Sequence, residues 1–328
     1  MLGWAILLAA SLLWPAATGA QTASPPLILE AKIPLGEVGG RIDHLSVDAK
    51  RQRLFIAELG NNSLGVVDLA AGKVLRRIAG LSEPQGVAYI PFADRVFVAN
   101  AGDGSVQMLA GEDLTPIERI KLGDDADNER VDTARKRVLV GYGKGALAVS
   151  DPGSLSKTAD IRLKAHPEGF QLDETENEVF VNVPDAHEIV VVDLAAGSTR
   201  SLPMEGAGSN FPMAIDGGAH RVLVVFRSPP TLMALSSQDG QVAAKIDTCG
   251  DADDVFVDAK RRRIYVSCGE GVVDVLEQGE AGYRHLARVP TVSGARTSLF
   301  VPELDRLFVA ARGTLSEPAA IWVFRPAS

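Results

Sequence analysis

Two neighbouring positions of an internal repeat hold most of the side chains in this sequence that could do chemistry. Spaced 41–43 residues apart, Asp43, Gln85, Asp127, Glu168, Phe211, Asp253 and Arg296 occupy the first, and six of these seven are polar or charged. The next position holds His44, Gly86, Asn128, Gly169, Pro212, Asp254 and Thr297. Carboxylates, amides and a guanidinium that converge on one axis can recognise a small polar ligand. Their oxygens also suit a hard cation such as Ca²⁺. Asp125-Ala126-Asp127-Asn128 and Asp251-Ala252-Asp253-Asp254 are two copies of one acidic submotif, without the later Gly and Glu of an EF-hand loop. Capping of strand ends and binding of channel water is the competing role for such a ring.

Two histidines belong to the same region. His44 and His166 are the candidate catalytic residues, either being able to act as a general base near neutral pH. His187, His220 and His285 fall on loops or late strands, where a surface role is expected. Arg41 and Arg296 come from neighbouring repeats, and Arg227 and Arg312 share their face. They could clamp an anion, but a structural pair of Arg296 with Asp253 or Asp254 is the preferred reading. The expected ligand-binding set is Arg41, Asp43, His44, Gln85, Asp127, Asn128, Glu168, Asn210, Asp253, Asp254 and Arg296.

The elements that must position these residues follow from the repeat itself. A β-rich tetrad recurs around Phe55, Phe97, Leu139, Phe180, Leu223, Tyr265 and Phe308, with gaps of 42, 42, 41, 43, 42 and 43 residues. Seven units of this length, rich in Val, Ile, Leu and Phe and broken by turn residues, predict an all-β, seven-bladed β-propeller. Asp stands seven residues before the tetrad centre in five blades, at 48, 132, 173, 216 and 258, where it would accept backbone N–H bonds in a turn. The last unit lacks a strand, and residues 27–35 are left over near the start. They are predicted to complete blade 7 beside 321–325 and to close the ring.

The ends and composition bound the rest. Residues 1–20 read as a signal peptide: an apolar run from Leu2 to Trp14, Pro15, then Thr18-Gly19-Ala20 as small cleavage-site residues, though no Lys or Arg precedes the run. The run is short of the roughly 18 residues a membrane helix needs, and no later stretch could span a bilayer. Residues 21–26 read as a flexible lead-in and 27–328 as one propeller domain. A periplasmic or secreted location is expected, and Cys249 and Cys268 then pair as a disulfide. A net charge of −9 without basic clusters argues against nucleic acid. There is no G-x-S-x-G elbow, no H-E-x-x-H and no complete phosphate loop in GYGKGA (141–146).

EPQGVAYIPFADRVFVAN (83–100) and HPEGFQLDETENEVFVN (166–182) resemble the repeat of YVTN-type seven-bladed propellers, with FVAN, FVNV and YVSC as variants of the tetrapeptide. The resemblance covers about residues 40–325 and implies an exported propeller, similar to lactonase-type and quinoprotein propellers. The lactonase likeness would make Asn128, Glu168, Asn210 and Asp253 (or Asp254) candidate ligands for Ca²⁺ or another divalent cation. Aromatics are only 5 % of residues, which disfavours a stacked quinone. The expected function is binding of a small molecule or another exported protein at the channel mouth, by a monomer. A metal-dependent hydrolase of lactone type stays open as the alternative.

Overall fold

The computed structural model describes residues 24–328, apart from 155, 205, 281 and 316. The predicted signal peptide, and residues 21–23 of the predicted lead-in, lie outside the described residues.

Among the described residues the chain folds into seven four-stranded antiparallel sheets, six of them running from the axis outward in chain order. Blade 1 shows the pattern, with strands Leu45–Asp48, Arg53–Glu58, Ser63–Asp68 and Lys73–Ala79. Its two middle strands are almost wholly buried and its outermost strand is mostly exposed. Middle strands have a neighbouring sheet on both faces, so they carry continuous apolar runs rather than strict alternation. All seven tetrad centres sit in the second strand of their blade and are at most 2 % exposed.

The turn aspartates do what their position predicts. Oδ1 of Asp48, Asp132 and Asp258 accepts the backbone N–H three residues on, at 3.0, 2.9 and 3.2 Å, and Asp173 and Asp216 make the corresponding bonds. Two of these turns also lock blades together. Arg51 reaches Asp94 of blade 2 at 2.9 and 2.8 Å, and Arg261 reaches Asp305 of blade 7 at 2.7 Å through both Nη atoms. Bidentate pairs of this kind add direction as well as charge. Beyond them the chain turns through a left-handed residue in every blade: Gln52, Asp94, Lys136, Asn177, His220, Arg262 and Asp305.

Blade 7 is built from both ends of the chain. Its order is Leu27–Gly36, Ala319–Pro326, Arg306–Ala311 and Ser298–Val301, so the N-terminal strand forms its outer edge and closes the ring. Leu27 pairs with Pro326 and Gly36 with Ala319. Ile33 and Leu35 pack with Leu54, Ile56 and Ile321 in the seam between blades 7 and 1. Leu27 packs with Tyr265 and Phe324 in the seam between blades 6 and 7. The fold begins slightly earlier than the expected lead-in allows, because Pro26 is buried and its carbonyl accepts the N–H of Ala327 at 2.9 Å. Cys249 and Cys268 form a disulfide across the entry of blade 6, with Cα atoms 5.9 Å apart. No helix among the described residues is long and apolar enough to cross a membrane.

Candidate functional site

The polar ring stands where each innermost strand begins. Around the axis the blades touch there through main chain: His44 N–H donates to the Gln85 carbonyl at 3.2 Å, and Gly169 N–H to the Phe211 carbonyl at 3.1 Å. This approach explains the glycines of the second position. A Cβ at Gly86 would fall 2.0 Å from the Asp127 carbonyl oxygen, and one at Gly169 would fall 2.3 Å from that of Phe211. Two polar side chains continue the same seam: Thr297 Oγ1 donates to the Ile42 carbonyl at 3.2 Å, and Asp254 Oδ2 accepts Ser298 N–H at 2.7 Å.

The ring encloses a cavity of about 340 Å³ at the channel mouth. Arg41, Asp43, His44, Gln85, Asp127, Asn128, Glu168, Asp253, Asp254 and Arg296 all line it, as does His166. Asn210 does not. It is 1 % exposed and turned between blades, its Nδ2 donating to Asn182 Oδ1 at 3.0 Å and to the Glu188 carbonyl at 3.3 Å. Its amide is taken up by these groups of blade 4, at the end of a strand whose pairing is irregular between Asn210 and Met213. It is therefore removed from both the ligand-binding and the metal candidates.

Arg130, Gln171, Met213 and Phe256 also line the cavity, and the sequence reading passed over them. A signal for the first existed. Nine residues before each tetrad centre stand Ser46, Ala88, Arg130, Gln171, Ala214, Phe256 and Leu299, each opposite that centre in the ladder. Arg130 is the one charge in that column.

Most of the charges neutralise one another. Arg41 Nη2 lies 2.7 Å from Asp43 Oδ2. Asp253 is held between Arg296, whose Nε is 3.0 Å from Oδ2, and Arg227, whose Nη2 bonds Oδ1. Arg296 also donates to Asp251 at 2.8 Å. Burial pushes the carboxyls of Asp43 and Asp254 well above the usual range. Arg41 opposes this at Asp43, whereas the charge of Asp253 adds to it at both.

Three groups are left over. Oδ1 of Asp127 is buried without a hydrogen-bond partner, while Oδ2 stands 3.9 Å from His166 Nε2, on a side chain only 9 % exposed. The Glu168 carboxyl faces the cavity with no hydrogen bond. Arg130 spends Nη1 on the Glu129 carbonyl at 2.7 Å and, more weakly, on Asn128 Oδ1 at 3.4 Å, and has no carboxylate at ion-pair distance.

The two histidines differ. Burial lowers the pKa of His44, which stays neutral and keeps a ring nitrogen able to take a proton. Burial opposes the charge on His166 too, but the nearby charges of Asp127 and Asp125, with a hydrogen bond to the Gly143 carbonyl at 2.6 Å, raise its pKa to about 9. At neutral pH His166 is a cation, so its expected role as a general base does not fit the site. Burial and the charge of Asp127 raise Glu168 to about 7.

Among the described residues no group of three or more His, Cys, Asp or Glu side chains could hold a metal ion. The candidate ligands show why: Asn210 is turned away, Asp253 is clasped by two guanidiniums, and Asn128 Oδ1 faces Arg130. A divalent cation does not fit this arrangement.

These charges give stability a predictable pH dependence. The pKa of Glu168 is raised in the folded state, so its cost is absent below about 4.5 and complete above about 7. The pKa of His166 is also raised, so its stabilisation is complete below 6.5 and lost as pH rises through about 9. Both have the same sign, and the melting temperature should fall between pH 5 and pH 9. Glu168→Gln should raise it at pH 8 by on the order of a few degrees and leave it unchanged at pH 4.5. Parallel melting curves for the variant and the parent across this range would contradict the assignment.

No protein-family model and no curated protein matches the sequence. Solved structures do match, over nearly the whole chain. Kuenenia stuttgartiensis Hydrazine Synthase superposes with a TM-score of 0.75 at 18 % identity, over 96 % of this chain and 99 % of that one. A chain of the Mitotic Checkpoint Complex gives 0.78 at 12 % identity, over 97 % and 98 %. The RRP9 WD40 repeats give 0.76 at 10 % identity, over 91 % and 100 %. At such identities the likeness is one of fold, and the chain is by fold a seven-bladed β-propeller.

Proposed function

We propose that this chain is an exported propeller of the YVTN-repeat kind that binds a small polar ligand at its channel mouth without transforming it. The observation that carries the reading is Asp127. Leaving a buried carboxylate oxygen unpaired costs on the order of 1–3 kcal/mol or more, and a donor brought by a ligand would recover that cost. The surrounding groups are held in place by the Arg41–Asp43 and Arg227–Asp253–Arg296 pairs, so the site needs little reorganisation to bind. The Cys249–Cys268 disulfide and the leader-like residues 1–20 favour an oxidising compartment outside the cytoplasm. The clasped Asp253 disfavours a metal-dependent hydrolase.

A thermal-shift screen of small polar metabolites against the mature protein tests this. A ligand should raise the melting temperature of the parent and lose at least tenfold in affinity in Asp127→Asn/Glu168→Gln. A ligand held equally by both proteins would place the site elsewhere. Turnover in a lactone and ester panel with Ca²⁺ added would overturn the non-catalytic reading.

A further inference from the structure

Resting on that reading, we infer that the ligand is a small zwitterion, with a cationic nitrogen between Asp127 and Glu168 and a carboxylate on Arg130. The inference comes from which charges in the cavity are already spent. Arg41, Arg227 and Arg296 each have a carboxylate of the protein, and Asp43 and Asp253 are the partners they use. Asp254 Oδ2 takes the Ser298 N–H. What remains is one guanidinium and two carboxyls, all lining the same cavity.

The carboxylate pole is anionic even with His166 charged. Asp125, Asp127 and Glu168 surround that single imidazolium, which lies 3.6 Å from Asp125 and 3.9 Å from Asp127. Asp127 Oδ1 is both buried and unpartnered, and so points to a donor from outside the protein. The opposite pole is Arg130. Burial disfavours its charge, and Asp254, Asp127 and the buried Glu129 support that charge without reaching ion-pair distance. A cation alone would fill the acidic pole and leave the guanidinium unpaired. An anion alone would do the reverse and add repulsion from Asp127. Only a molecule with both charges satisfies both, because each buried charge left unpaired is costly. Met213 and Phe256 also line the cavity and offer apolar surface to a short aliphatic spacer. At about 340 Å³ the cavity is near the lower end of the roughly 300–1,000 Å³ typical of small-molecule sites.

Isothermal titration calorimetry with a charge-matched series tests the inference. The probes are alanine, 4-aminobutanoate, 6-aminohexanoate and lysine, with butylamine and butanoate as single-charge analogues. At least one zwitterion should bind at least tenfold more tightly than both analogues. Asp127→Asn should weaken that zwitterion tenfold or more without weakening butanoate, and Arg130→Met should weaken it without weakening butylamine. Arg130→Lys, which keeps the charge in the strand, should retain part of the affinity and covers the case in which the Met variant fails to fold. If butylamine or butanoate binds as tightly as every zwitterion, and Asp127→Asn or Arg130→Met still weakens it, the ligand class falls and the mouth site survives. If a zwitterion binds and neither variant weakens it, both the class and the mouth site fall. If no member of the series binds, the zwitterion assignment is overturned, while the metabolite screen still decides the mouth site independently.

Discussion

Deleting residues 27–35 is expected to abolish the folded protein. The segment supplies the outer strand of blade 7, and its loss leaves the edge of Ala319–Pro326 unpaired. It also removes Leu27, Ile33 and Leu35, which are 2, 4 and 1 % exposed and pack into the seams on both sides of the blade. At roughly 1.5–3 kcal/mol for each buried aliphatic side chain, the three together contribute about 5–9 kcal/mol. That is comparable to the about 5–15 kcal/mol by which a whole domain is stable. The free edge would in addition be a template for pairing with other chains. Size-exclusion chromatography should show aggregate, and the thermal transition should be lost or lowered by tens of degrees. A truncated protein that runs as a monomer with the parent's melting temperature would show that the ring does not depend on this strand.

The second large effect is expected from Cys249 and Cys268. They are 19 residues apart, and for a loop of this size the chain-entropy model gives a stabilisation of roughly 3 kcal/mol. Both are buried among Ala214, Val225 and Val266, so Cys249→Ser/Cys268→Ser would also place two hydroxyls in apolar surroundings. Cys249→Ala/Cys268→Ala isolates the cross-link better. Urea unfolding of this variant, and of the parent with reductant, should show midpoints lowered to a similar degree. Thiol titration of the unfolded, unreduced parent should find no free thiol. Two free thiols, or a midpoint that reductant does not change, would refute the assignment. Between the two sulfurs lie Asp251 and Asp253, which hold Arg296 and Arg227, so loss of the bond should also weaken ligand binding at the mouth.

The architecture could be read from the sequence because its signals are local and repeated. Each tetrad centre marks a strand with neighbours on both faces, and Asp48, Asp132 and Asp258 mark turns through their own backbone bonds. The leftover strand at 27–35 followed from counting, since the last blade was one strand short. The ring of side chains was legible for the same reason: one strand position repeated in every blade faces one axis. The details depended on neighbours distant in sequence. Asn210 lies one residue from a ring position, and Asn182 and the Glu188 carbonyl of blade 4 take up its amide. Arg130 sits inside a strand where an apolar residue is expected, so a search confined to strand entries missed it. The protonation of His166 is set by Asp125 and Asp127 of the preceding blade, a proximity that no local pattern encodes.

The pairing of Leu27 with Pro326 also governs the order of events in folding. During synthesis the strand Leu27–Gly36 emerges before blades 1 to 6, yet its partner Ala319–Pro326 emerges after them. Blades 1 to 6 each draw all four strands from one continuous stretch and can form as local meanders. Blade 7 has to wait, and it then bridges nearly the full length of the chain. Contacts so distant in sequence are slow to form, because the loop entropy must be lost before they reward it. Until then the chain is an open arc with apolar faces at both ends, Leu54 and Ile56 on one side and Tyr265 and Val275 on the other. The same feature that closes the finished ring therefore makes the half-made ring the species most exposed to aggregation.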